Sequence, residues 1–301
     1  MASRHLISRV NPVSIHPLAV VSSSAEIGSN VEIGPFSVIE PGVTIADGCC
    51  LKSHVVIGSG TSLGPENQVF QGAILGGLPQ HMQMPECPGR LTIGRGNVFR
   101  ENVTVHRSLY EGSQTTIGDE CMLMVNTHVA HDCQVGSGTI LTNNVMLGGH
   151  VEVGGKAFLS GGTAVHQFCR VGRLAMVGGM ARVRQDVPPF VTVDGGSTMV
   201  VGLNRVGLKR AGFNPTELKQ LKAAYRVIYR GGMVWNEMLL QLQQLFDSGP
   251  ATEFEPFFRA GTRGFVQERR TPPGATVRLV REEETRESQA IALPMVSKIA
   301  G

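Results

Sequence analysis

The stretch NTHVAHDC, residues 126–133, sets His128 and His131 three apart, with Asp132 directly after the second histidine. Imidazole titrates at about 6.5 in its ordinary state and so takes up and returns a proton near neutral pH. A neighbouring carboxylate can orient such a ring and stabilise its charged form, the requirement for a general base. The same residue types also ligate metals, and many surface histidines simply stand in solvent. No Cys or Glu lies at ligand spacing from the pair, and on a β edge residues i and i+3 need not converge. We therefore carry forward proton transfer, with no metal. His150 follows two glycines in LGGH, where backbone N–H groups free of side-chain obstruction could receive a developing oxyanion. There is no GxSxG elbow and no P-loop, so serine-triad hydrolysis and nucleotide hydrolysis have no residues to stand on.

What positions these residues is a period of six. Counting in sixes from Ile15 meets only aliphatic residues through Leu75, and a second run holds from Ile117 to Val183, with a shorter one through Ile93, Phe99 and Val105. A helix repeats its apolar face every three or four residues and an amphipathic strand every two, so a strict six is a short strand and a turn, repeated. Glycine, Asn and Asp cluster between the aliphatic positions, where a sharply turning chain needs residues that tolerate positive φ. Three such hexads close a triangular coil, a parallel β-helix with its aliphatic side chains stacked inside. Residues one coil apart then lie about 4.8 Å from each other. On that count His131, His150 and His166 project near one edge of three successive coils, and His128 lies one short strand away.

The count breaks at about 76–92 and 106–116, which are read as loops thrown out from the prism. The first carries several prolines and is free to cover a site. After Val191 the six-period ends, and from Asn214 the pattern is helical, with Asn214 as N-cap, Pro215 at the first position and Glu217 completing a capping box. Gly231 and Gly232 stop that helix; a second fits 234–246 and a third 253–260. The expected organisation is a β-helix over 1–205, a helical region over 206–266 and a poorly ordered tail over 267–301.

Composition agrees with a turn-rich repeat: 38 glycines, 17% charged residues and 5% aromatic residues. A net charge of +3, without a dense Lys/Arg run, gives no footing for nucleic-acid binding. The six cysteines form no CxxC pair and read as free thiols of a reducing compartment. No signal-peptide core and no run approaching the ~18 apolar residues of a membrane span appears. The expectation is a cytoplasmic protein with no membrane insertion.

VNTHVAHDCQVG, LGGHVEV, GGTAVHQFCRVG, MVGGMARVRQDVPPFV and VGLNRVGLKRAGF, in this order and nearly this spacing, resemble the UDP-N-acetylglucosamine acyltransferases that begin lipid A synthesis. The resemblance spans about 11–266. It implies a left-handed prism, a homotrimer with sites between adjacent prisms, and transfer of a 3-hydroxyacyl group to the 3-position of the sugar nucleotide. The donor is acyl carrier protein with its phosphopantetheine arm, and no further cofactor is implied. By the same resemblance His131 is similar to the general base, Asp132 to its carboxylate and Gly149 to the oxyanion donor. His128, His150, His166, Gln167, His106 and Gln80 resemble ligand-contacting positions, Asn204 and Arg210 nucleotide-binding ones. Gly178 and Gly179 resemble the acyl-pocket region, where the lack of a side chain leaves room for a longer chain. Arg170, Arg173, Arg182 and Arg184 are candidates to face the acidic carrier.

The chain departs from that pattern where His81 and Gln83 stand in place of the usual aspartate and lysine, and Val206 in place of a glutamate. Sugar contacts from the loop, and the choice between a hydroxyl and a 3-amino acceptor, stay open on these residues. A catalytically silent repeat protein is the competing reading from another class.

Overall fold

The computed structural model describes residues 13–270. Short strands, mostly of two residues, alternate with tight turns and stack into three sheets of eleven, nine and eight strands, here faces one, two and three; pairing is parallel throughout except that the last strand of face one, Val200–Leu203, runs antiparallel to Val191–Val193. Within uninterrupted coils the pairing partners are 18 residues on, as in Val129 with Leu147 and Leu147 with Val165. These three side chains are at most 3% exposed and lie in one continuous core with the other hexad residues. The expected β-helix is the observed architecture.

Both breaks in the count are insertions at a single corner. The first excursion leaves the face-two strand Ile74–Gly77 and returns on the face-three strand Arg90–Ile93; the second leaves Thr104–His106 and returns on Gln114–Ile117. The register absorbs both, Leu75 pairing with Val105 and Val105 with Val129. The interior therefore stays continuous while the extra chain projects outward at the edge between faces two and three.

A short helix α1 (Arg205–Arg210) follows the prism, then α2 (Pro215–Arg230), α3 (Trp235–Leu245) and α4 (Phe254–Arg259), the last preceded by a single 3-10 turn. The capping box at Asn214 forms in both directions, the Asn214 side chain accepting from the Glu217 amide and Glu217 accepting from the Asn214 amide. Helix α1 lies where the sequence reading gives only a boundary; with Gly207 inside it, its pattern is too short to read. The expected third helix begins instead as the 3-10 turn, because Pro250 and the Gly249 reversal precede it. The boundary of the expected tail also shifts. Gln267 accepts from the Val200 amide and Glu268 from the Tyr225 hydroxyl, so both are part of the body; the tail from 271 on lies outside the described residues. Prism and helices up to Glu268 form one compact unit.

Two arginines expected to face an acidic carrier are spent on this junction. Arg170 bonds the buried Asp186 carboxylate and the Phe257 carbonyl, and Arg173 pairs with Glu253 while lying over the Phe190 ring. Arg182 and Arg184 remain exposed. Among the described residues no helix is long and apolar enough to cross a membrane.

Truncating an interior hexad residue removes methylenes from a column that cannot collapse sideways. Leu147→Ala should therefore lower the unfolding free energy by about 3 kcal/mol, whereas Gln134→Ala, on the outer surface of face three, should change it by less than about 0.5 kcal/mol; equal losses in chemical denaturation would contradict the stacked core.

Candidate active site

In the three coils above the second excursion, the chain turns between faces two and three on two residues, the second with left-handed backbone. In successive coils these second residues are Asp132, His150 and Phe168, with φ of 61°, 60° and 63°. The first-turn residues are His131, Gly149 and Gln167, and His166 occupies the position just before the turn. The three histidines expected on one edge do share it, but at three different places in the turn. Only two of their rings touch: His131 and His150 meet edge to face at 5.3 Å between centroids. His150 stacks on Phe168 at 4.6 Å, and His166 faces Arg263 instead.

Asp132 is the hub. Its Oδ2 lies 2.7 Å from His131 Nδ1 and 3.8 Å from His150 Nε2, and accepts from the Leu109 amide at 3.2 Å. Its Oδ1 accepts from the Ser108 hydroxyl and, at 3.4 Å, from that of Ser113. Burial works to raise the Asp132 pKa, but the bonds from Ser108, His131 and Leu109 outweigh it and hold the carboxyl below its ordinary value. An ionised Asp132 requires the proton on His131 Nδ1, which leaves a lone pair on Nε2. Ser108, Leu109 and Ser113, which the sequence reading does not single out, all come from the second excursion. The signal that could have found them is the register itself, since it returns that loop to the corner of Asp132.

Gly149 lies one coil beyond His131, against the ring. A Cβ on Gly149 would sit 2.8 Å from His131 Cε1, so any side chain would push the imidazole away. Its amide donates to no backbone acceptor among the described residues. From the first excursion, His81 reaches His131 edge-on at 6.0 Å, while Gln80 and Gln83 are exposed beside it. Tyr110 approaches His150 at 6.4 Å.

His128 and His106 form a second pair on face two, rings at 4.8 Å, with His128 Nδ1 bonded to Thr104 Oγ1 at 2.8 Å. Burial depresses both; His106 falls to about 4, helped by the charges of His128 and His131. Burial also lowers His150, against the pull of Asp132. As for metals, His131, Asp132 and His150 present donor atoms within 4.8 Å of one another, close enough for one cation. A metal entering there would have to displace the hydrogen bond between His131 and Asp132.

Other expected positions are not brought to this corner within one chain. Asn204 caps α1, accepting from the Gly207 amide at 2.9 Å and donating to the Leu174 carbonyl at 2.8 Å, so much of its side chain is committed to the fold. Asn204 and Arg210 line a groove of about 770 Å³ between α1 and face one, with Ile140, Phe158, Met176 and Val206. Gly178 and Gly179 lie at the corner between faces one and two, away from the histidines; at Gly178 a Cβ would meet the Gly195 amide at 2.5 Å, which gives that glycine a packing reason.

A repeat prism with an imidazole–carboxylate pair, a free amide beside it and two overhanging loops is the machinery of a group-transfer enzyme of the hexapeptide-repeat class. The hexapeptide transferase repeat matches 24–59 and 114–149, and the second domain of UDP-N-acetylglucosamine O-acyltransferases matches 186–266. Among solved structures, the UDP-N-acetylglucosamine acyltransferase of Francisella novicida is 36% identical, covering 85% of this chain and 95% of its own, with a TM-score of 0.82. The Moraxella catarrhalis UDP-N-acetylglucosamine O-acyltransferase is 35% identical over 84% of this chain and 99% of that one, with a TM-score of 0.81. The Arabidopsis UDP-N-acetylglucosamine acyltransferase is 33% identical over 84% and 100%, with a TM-score of 0.75. The chain belongs to the UDP-N-acetylglucosamine O-acyltransferase family, the acyltransferases of the first step of lipid A biosynthesis.

The depressed His106 gives a pH dependence of definite sign. Its folded pKa, about 4, lies below the unfolded value near 6.5, so the unfolded chain binds the proton first as pH falls. The stability it confers is complete above about pH 6.5 and is lost toward pH 4. His106→Leu should flatten the fall in unfolding free energy across that window by up to about 3 kcal/mol; identical slopes for the variant and the parent protein would show that His106 is not held neutral by the fold.

Proposed function

We propose that the chain moves a 3-hydroxyacyl group from acyl carrier protein to the 3-hydroxyl of UDP-N-acetylglucosamine, with His131 as general base and no acyl-enzyme. The observation that carries this reading is the His131–Asp132 hydrogen bond at 2.7 Å, which leaves Nε2 unprotonated beside the Gly149 amide. His131 Nε2 takes the proton of the sugar hydroxyl as its oxygen attacks the thioester carbonyl. The carbonyl oxygen becomes negative in the tetrahedral intermediate, and the Gly149 N–H donates to it. The C–S bond then breaks, and the proton on His131 passes to the leaving thiolate of the phosphopantetheine arm. Asp132, anchored by the second loop, stays charged throughout and stabilises the imidazolium.

Substrate contacts follow from the same corner. His150, His166 and Gln167 line it above Gly149, and His128 and His106 lie below; His106 Nδ1 is buried without a protein partner, as a ligand hydroxyl or phosphate would require. Asn204 and Arg210 serve the nucleotide from the groove on face one, and Gly179 opens the acyl path at the far corner. Neither reaches the histidines within one chain, so a homotrimer that sets face one of one copy against the histidine corner of the next completes the site. The exposed Arg182 and Arg184 remain available to the acidic carrier, and the enzyme works in the cytoplasm without a further cofactor.

His81 beside His131 keeps one alternative in view, a 3-amino acceptor, since the loop lacks the carboxylate and amine of the family pattern. Purified protein supplied with 3-hydroxyacyl carrier protein should acylate UDP-N-acetylglucosamine in preference to its 3-amino analogue. His131→Ala should lower kcat by about 10²–10⁴ with unchanged oligomer size. Full activity in that variant removes His131 as the base; preference for the amine reassigns the acceptor; no transfer to either leaves only the binding-protein reading.

A further inference from the structure

His166 has two hydrogen-bonding options that exclude each other. Its Nδ1 lies 3.1 Å from the Gln167 carbonyl oxygen, to which it can only donate, and 3.0 Å from Arg263 Nη2, from which it can only accept. A guanidinium has donors and no acceptor, so the contact with Arg263 requires a lone pair on Nδ1 and places the ring proton on Nε2. Without Arg263, the Gln167 carbonyl is the remaining partner and the proton moves to Nδ1. The two tautomers present opposite faces to the cleft, a donor at Nε2 in the first and an acceptor in the second.

Arg263 is built into place. Gly264 takes a left-handed φ of 66° directly after it, and the Gly264 carbonyl accepts from the Asp186 amide at 2.9 Å, while the Val266 amide donates to the Asp186 carbonyl at 2.9 Å. Phe265 packs on Phe258 at 4.8 Å and on Trp235 at 5.6 Å. Arg263 makes no ion pair among the described residues, Asp186 being taken by Arg170. The segment that carries it thus ties the helical end to the histidine corner. The pairing of Val165 with Val183 also sets Arg184 in the coil next to His166.

We propose that Arg263 is a positioning residue that fixes His166 as the Nε2–H tautomer, so that His166 donates a hydrogen bond to an oxygen of the acyl donor. The donor assignment rests on the function proposed above and on placement. His166 stands between Gly149 and the helical end, where Arg182 and Arg184 are exposed, so an arm running from a carrier docked there to His131 passes His166. Its amide and hydroxyl oxygens are acceptors that an Nε2–H can bind.

Long-range ¹H–¹⁵N spectra of the full-length enzyme at pH 8.5 read the tautomer directly. The expected result is Nε2–H in the parent protein, a shift toward Nδ1–H in Arg263→Met, and a return to Nε2–H in Arg263→Lys. Steady-state kinetics should show KM for the acyl carrier substrate raised about 10-fold in Arg263→Met, with kcat and the KM for the sugar nucleotide within about twofold, and recovery in Arg263→Lys. A purely structural role would lower the melting temperature and leave the tautomer unmoved. The proposal is overturned by an Nδ1–H form in the parent protein, a measurement that needs no variant to fold, and equally by an unchanged donor KM when the tautomer shifts. If the parent transfers no acyl group while the tautomer behaves as expected, the functional reading fails and the role of Arg263 in setting His166 stands.

Discussion

The site depends on one carboxylate being held charged in a half-dry corner. Asp132 occupies a left-handed turn position, which Asp and Asn tolerate better than most residues, and several hydrogen bonds converge on its carboxylate. Those bonds come from two sources: the solenoid supplies His131, and the second excursion supplies Ser108, Leu109 and Ser113. Removing either would leave the imidazole without its orienting partner. The loop thus holds the carboxylate that orients His131, and the coil register fixes the distance between them.

Much of the fold was legible because its physics is periodic. An interior filled mainly by aliphatic side chains makes the sequence declare its coils, with Phe99 the aromatic exception at a hexad position. The capping box at Asn214 was legible for a similar reason, being a local exchange of two hydrogen bonds. What was lost is non-periodic: α1 is too short for a pattern, and the junction pairs Arg170–Asp186 and Arg173–Glu253 do not follow the repeat. Arginines that read as free surface charge turned out to be half-buried and paired, since sequence carries no mark of a partner contributed by another element.

The site divides along the same line. His131, Asp132 and Gly149 were readable from repeat spacing, because the coil converts sequence separation into adjacency. The roles drawn from resemblance behave differently. Asn204 has a demonstrable job as a helix cap, and Gly178 a packing one, so each position satisfies the fold whether or not it touches a ligand. A residue that serves both purposes is poor evidence for either, whereas His131 and His81 have no comparable structural use. Within one chain the groove on face one and the histidine corner stay separate, at different edges of the prism.

The substitution of His81 changes the electrostatics of that corner in one direction. Among the described residues Asp132 is the carboxylate that raises the His150 pKa, while burial and the neighbouring His131 and His81 rings lower it. A carboxylate in place of His81 would compete with Asp132 for the imidazolium and would repel an anionic acceptor. With imidazole there, a proton taken up by the cluster adds positive charge beside the Asp132 carboxylate. The loop fixes that ring locally: His81 is held by the Gln83 backbone at 3.1 Å and presents its remaining ring nitrogen, Nε2, for other contacts.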